Sequence, residues 1–149
     1  MNRPLTDCVI SGLPQVIPPD FSAIAASIRY QAKTLGLTIE SHQDAIDKTP
    51  LSFQFATPHT TPITCNITRW NDSKLAPVTE NTMQAICGLM SVHGRASGKP
   101  QSLGLNYVST LAAALALQGV AAASIGLLRC VPISKILISM VSAALMSMG

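Results

Sequence analysis

The chain from Val108 to Leu128 carries no charged residue, and this run limits the possible folds more than any other feature. It is long enough to cross a hydrocarbon layer of about 30 Å, which takes about 20 apolar residues. A central helix of a soluble protein, apolar on every side, has the same look. Composition favours the second. Alanine is its commonest residue, and Ser109, Thr110, Gln118 and Ser124 interrupt it. The apolar run that begins at Val131 is broken near its start by Pro132 and Lys135. Alanine adds little insertion energy but lets backbones approach closely. The expectation is a helix buried on all sides, with a membrane-associated helical hairpin as the rival.

Charge divides the chain. Only 11% of its residues are charged, against about 25% in ordinary globular domains. All seven acids precede residue 81, so the remainder holds Arg95, Lys99, Arg129 and Lys135 and cannot supply a carboxylate of its own. Four scattered bases with Tyr107 as their one aromatic make neither a phosphate-binding stripe nor a stacking platform, which argues against nucleic acid.

Cys8, Cys65, Cys87 and Cys130 lie far apart and form no CxxC pair, so buried reduced thiols are expected and no metal. Asn66-Ile67-Thr68 is formally a glycosylation sequon, but the N-terminus has no apolar run with a basic flank. A cytoplasmic location is the expectation.

Local patterns predict an α/β fold with Ala-rich central helices and a few short strands. Asp20 is placed to cap a helix whose residues Phe21, Ile24, Ala25, Ile28 and Leu35 recur at helical spacing, with Gly36 as its stop. Leu37–Glu40 reads as a short strand and Ser41–Lys48 as a turn or short helix. Leu51–Ala56 and Ile63–Trp70 alternate like the strands of a hairpin joined through Thr57–Pro62. Thr79 and Thr82 open a helix through Met83, Ile86, Cys87, Leu89 and Met90, after which Gly94, Gly98, Pro100 and Gly104 enforce a loop. Beyond the long helix, Ile136–Ile138 is a candidate strand and Ser139 a cap for a last helix. The composition shift divides the chain into an N-terminal α+β part, 1–77, of unassigned type and a helical segment, 78–149, the two forming one domain or two.

The run Met83-Gln84-Ala85-Ile86-Cys87-Gly88-Leu89-Met90-Ser91-Val92-His93-Gly94, followed by Gly98-Lys99-Pro100 and Leu103-Gly104, resembles a segment of the family III CoA-transferases, the CaiB/BaiF group. In that family a Gln-Ala-x-x-Gly-Leu-Met-like helix leads through a Gly/Pro loop into a long helix of small residues. Ser139 with Ala143, Ala144 and Leu145 is similar to the family's later strand, serine and helix. The resemblance spans Gln84 to Leu145, while residues 1–80 carry none of it. Complete family members are more than twice this length, so the resemblance implies a piece or a reduced relative of that fold, and interlocked dimers imply a homodimer or a partner chain.

The resemblance also implies a carboxylate nucleophile, an Asp shortly after the loop glycine, that takes the acyl group from acyl-CoA. Counting from Gly104, the matching position is Ser109. A serine needs an adjacent base, and His93 is the local one. A Ser-His-acid triad must then borrow Glu80 or Asp72. Gln84, Ala85, Gly88, His93, Arg95, Lys99 and Gly104 are the candidate ligand-binding set, Arg95 and Lys99 for the phosphates of coenzyme A or an acyl-CoA thioester. Plainer readings stand beside these: Ser109 as a first-turn packing residue, the loop charges as solvated, Gly88 as a helix end. The leading expectation is a catalytically degenerate CoA-transferase-like domain, a pseudoenzyme that binds acyl-CoA or scaffolds. The alternative is an acyl-transfer enzyme completed by a partner chain.

Overall fold

The computed structural model describes residues 7–14, 19–42, 51–70 and 79–148. Among them five strands form one mixed sheet: β1 (Val9–Pro14), β2 (Thr38–His42), β3 (Leu51–Ala56), β4 (Ile63–Thr68) and β5 (Lys135–Ser139), in the order β2-β1-β3-β4-β5. The helices are α1 (Pro19–Leu35), α2 (Glu80–Ile86), α3 (Leu89–His93), α4 (Tyr107–Leu128) and α5 (Met140–Met146). A 3-10 turn, Gly94–Ser97, follows α3.

Two parallel crossovers flank a hairpin. β1 and β2 pair in parallel through α1, and β4 and β5 pair in parallel through the segment that contains α2 to α4. Parallel neighbours need a long connection, which each of these helical segments supplies. β3 runs antiparallel to both β1 and β4, giving the expected hairpin across the turn at Thr57–Thr60. The alternation in β3 and β4 sends Leu51, Phe53, Phe55, Ile63, Cys65 and Ile67 inward, and leaves Ser52 and Asn66 hydrogen-bonded to each other on the opposite face.

α1 lays Phe21, Ile24, Ala25, Ile28 and Ala32 on the inward face, and the helix stops where Leu37 N–H bonds back to Ala32. It starts at Pro19, a residue suited to a first helical position. Asp20 therefore lies inside the first turn and not at the cap expected of it. Ser41 and His42 belong to β2, where a turn or short helix was expected from Ser41, and the rest of that segment lies outside the described residues. β1 has no counterpart among the strands that the local patterns predict. Its register against β2 slips between Ile10 and Leu13, so three steps of β1 match two of β2.

The helix expected from Thr79 to Met90 is two helices. Thr79 caps the first, its Oγ1 accepting from Thr82 N–H at 3.2 Å. Gly88, at φ +82°, then turns the chain into a conformation that L side chains avoid, and α3 starts a new direction. α4 is the largest departure. Val108, Ser109, Ala112, Ala113, Ala116, Leu117, Val120 and Ala123 form one buried stripe against α1 and the sheet, whereas Gln118, Ala122, Ile125 and Leu128 are exposed. α4 is long and apolar enough to cross a membrane, yet it packs by one face and is not buried on all sides. The reason is the sheet: a helix laid on a flat layer covers it with a single face.

Candidate functional site

Two turns of chain meet at the start of α4. Asn106 precedes the helix but makes no side-chain cap, so the first N–H groups of α4 need acceptors from elsewhere. Glu80, first residue of α2, supplies them. Its Oε1 accepts from Val108 N–H at 2.8 Å, and its Oε2 accepts from Ser109 N–H at 3.1 Å and from Ser109 Oγ at 2.7 Å. A carboxylate at a helix N-terminus also meets the positive end of the helix dipole.

Gln84 stands one turn along α2 from Glu80 and is fully buried. Its Nε2 donates to Glu80 Oε1 at 3.0 Å and to the Leu105 carbonyl at 2.9 Å, while its Oε1 accepts from Leu103 N–H at 3.0 Å. Ser102 Oγ donates to Asn81 at 2.9 Å. The segment from Ser102 to Leu105 is thereby stitched to α2 on one side, and Glu80 stitches α2 to α4 on the other.

The Gly-rich loop forms an adjoining cluster. His93 Nδ1 lies 3.3 Å from the Gln101 carbonyl, and Gln101 N–H bonds to Met90. Ser97 Oγ reaches both the Gly94 and Lys99 carbonyls. Gly94 is buried because the backbone at Lys99 passes over it, with room for no Cβ. His93, Arg95 and Lys99 are exposed around this turn, as are Ala85 and Gly104, and Gly88 is half-buried at the α2–α3 bend.

The expected residues thus fall into two groups. Gln84 and Ser109 join Glu80 in a buried polar network, while His93, Arg95 and Lys99 ring an exposed turn. Among the described residues no hydrogen bond links His93 to Ser109 or to Glu80, so the sequence positions of a Ser-His-acid triad are not assembled as one. Asp72, the other acid considered, lies outside the described residues. Ser109 is 2% exposed and its hydroxyl proton is given to Glu80. Burial raises the thiols of Cys8, Cys65 and Cys87, Cys65 up to about 12, which leaves them protonated and unreactive at neutral pH. No group of three or more His, Cys, Asp or Glu gathers to hold a metal among the described residues.

Glu80 is the member of this network that sequence reasoning undervalued. Its signal was the spacing to Gln84, which puts both on one helical face, together with its place as the last acid before an acid-free half.

Comparison with characterised proteins and with solved structures yields no match. The family model of CoA-transferase family III matches residues 63–149, from β4 through α5. That span takes in the whole Glu80–Gln84–Ser109 network and the loop beside it. Covering more than half of the sequence, it shows that the chain belongs to CoA-transferase family III.

Proposed function

We propose that this chain is a catalytically degenerate member of its family that binds coenzyme A or an acyl-CoA thioester, or scaffolds, through the segment from Gln84 to Gly104. The observation that carries the reading is the state of Ser109. Covalent acyl transfer needs a nucleophile that is free to attack and then to be attacked. Ser109 is buried, and the acid beside it already accepts from Val108 N–H, Ser109 N–H and Gln84. Glu80 thus serves as a cap on α4, and His93 stands outside the network.

The exposed turn supports ligand binding on chemical grounds. Arg95 and Lys99 offer cationic donors of the kind that phosphates attract, on a backbone whose path Gly94 fixes. Association with a second copy or a partner chain is part of the same reading. Ile125 and Leu128 of α4, Leu137 of β5 and Met146 of α5 are 54%, 65%, 60% and 71% exposed, and covering such residues favours assembly.

The test is thermal unfolding of the protein with CoA and with acetyl-CoA, followed by intact mass. A ligand at 100 times its Kd adds about 2.7 kcal/mol, which raises the midpoint by roughly 5–11 °C for a chain of this size. A saturable rise without a mass increase is expected, reduced when Arg95 and Lys99 are both changed to Ala. An acyl adduct on Ser109 would overturn the degenerate reading. A cooperatively unfolding sample with no rise would overturn the ligand.

A further inference from the structure

α1 and α4 lie side by side and in step, and the space between them is not filled along its whole length. Ser27 and Thr110 hydroxyls stand 3.4 Å apart near one end. One turn on, Gln31 and Ala114 line a cavity of about 280 Å³, and a further turn on, Leu35 and Gln118 do the same. Small residues at Ala114 and Ala121 leave the gap. Its floor is Phe55 and Leu37, both buried, so the opening leads from solvent to the apolar face of the sheet.

The lining has a definite chemistry. Among the described residues no charged one borders the cavity, and the polar side chains that line it are the amides of Gln31 and Gln118. An ordered water needs two to four polar partners, and the floor offers none. Water there is poorly held, and an apolar group that displaces it gains. At about 30 Å³ for each water-sized group, the volume suits a chain or ring of about eight to ten carbons. Two glutamine amides can donate to and accept from a neutral head but cannot neutralise an ion.

We propose that this α1–α4 pocket is a second binding site, taking a compact apolar group with an uncharged hydrogen-bonding head. It shares no residue with the Glu80–Gln84–Ser109 network or with the exposed basic turn, so it stands independently of CoA binding.

The probe is octan-1-ol, titrated into the protein while methyl resonances of Leu35, Leu117 and Val120 are followed, with octanoate at pH 8 as the charged counterpart. Saturable shifts at those methyls are expected, with the alcohol binding at least about fivefold more tightly than the carboxylate, since an ion gains nothing from two amides. Ala121→Phe fills the cavity and should weaken octanol by at least about tenfold while unfolding stays cooperative. If that variant does not fold, Ala114→Val and Gln118→Ala carry the test, each with a loss of about threefold or more. Absence of saturable shifts, octanoate binding as well as octanol, or unchanged affinity in the folded variants would each overturn the site.

Discussion

Ser109 Oγ donates to Glu80 Oε2 at 2.7 Å, and the N–H of the same serine reaches the same oxygen at 3.1 Å. Ser109 is thereby held twice by an acid from α2. The contact spans 29 positions of sequence and ties the last acid of the chain to the helix that dominates its acid-free half. It makes the carboxylate a structural cap, and that role is measurable.

Changing Glu80 to Ala strands the N–H groups of Val108 and Ser109 and frees one hydrogen bond of Gln84. Buried groups left unpaired cost about 1–3 kcal/mol each, partly recovered by water at this half-buried site, so a net loss of about 2–4 kcal/mol is expected. Ser109→Ala removes donor and bond together and should cost about 1 kcal/mol. Because the two residues share a bond, the double variant should lose less than the sum, by about 0.5–2 kcal/mol in a urea-unfolding cycle. Strict additivity would show that the contact contributes nothing to stability.

Introducing a carboxylate with Ser109→Asp puts a second negative group against Glu80. The chain should become less stable at pH 7 by about 2 kcal/mol, because like charges at this separation repel and neither gains a cation. Combining Ser109→Asp with Glu80→Gln removes the repulsion and should recover at least half of that loss in the same assay. A single variant as stable as the parent would mean that the network can accept a second acid.

How much of this was legible depended on the range of the pattern. Alternation in Leu51–Ala56 and Ile63–Trp70 and the apolar repeat of Phe21–Leu35 are local, and each forms its element, the second strand ending two residues early at Thr68. β1 was invisible because Cys8-Val9-Ile10-Ser11-Gly12-Leu13-Pro14 alternates poorly, and its strand state is imposed by two non-local partners, β2 and β3. The exposed face of α4 was missed for a related reason: an Ala/Leu helix has no polar side to show which face turns outward. At the site, Ser109 was placed by its distance from Gly104, but its partner came from a helix whose packing no local spacing specifies.

Gly94→Ala should disturb the basic turn far more than Gly126→Ala disturbs the end of α4. A Cβ at Gly94 would lie 1.8 Å from the Lys99 carbonyl oxygen and 2.8 Å from Gln101 N, both backbone atoms. At Gly126 the close contact, 2.8 Å, is the Ile133 Cδ1 methyl, which can rotate away. We expect a loss of about 2–3 kcal/mol for the first and under about 1 kcal/mol for the second. Any CoA-induced rise in the unfolding midpoint should vanish in the first alone, since only there do Lys99 and His93 shift. Equal effects would show that the turn is free to open.

The alkaline limb of stability should report on Cys65. Its side chain is fully buried in β4, and burial lifts the thiol from 9.0 up to about 12 in the folded chain. A raised folded value means that the native state keeps a proton that the unfolded state loses. The stabilisation is therefore complete below pH 9 and is lost as the pH rises from 9 toward 12. The urea midpoint should stay level between pH 7 and 8.5, and the free energy should fall by about 1 kcal/mol at pH 10 from this group alone. Burial also raises Cys8 and Cys87, which push the same way, so a Cys65→Ala variant should show a shallower decline and not a flat line. A variant that declines as steeply as the parent would remove Cys65 as the source.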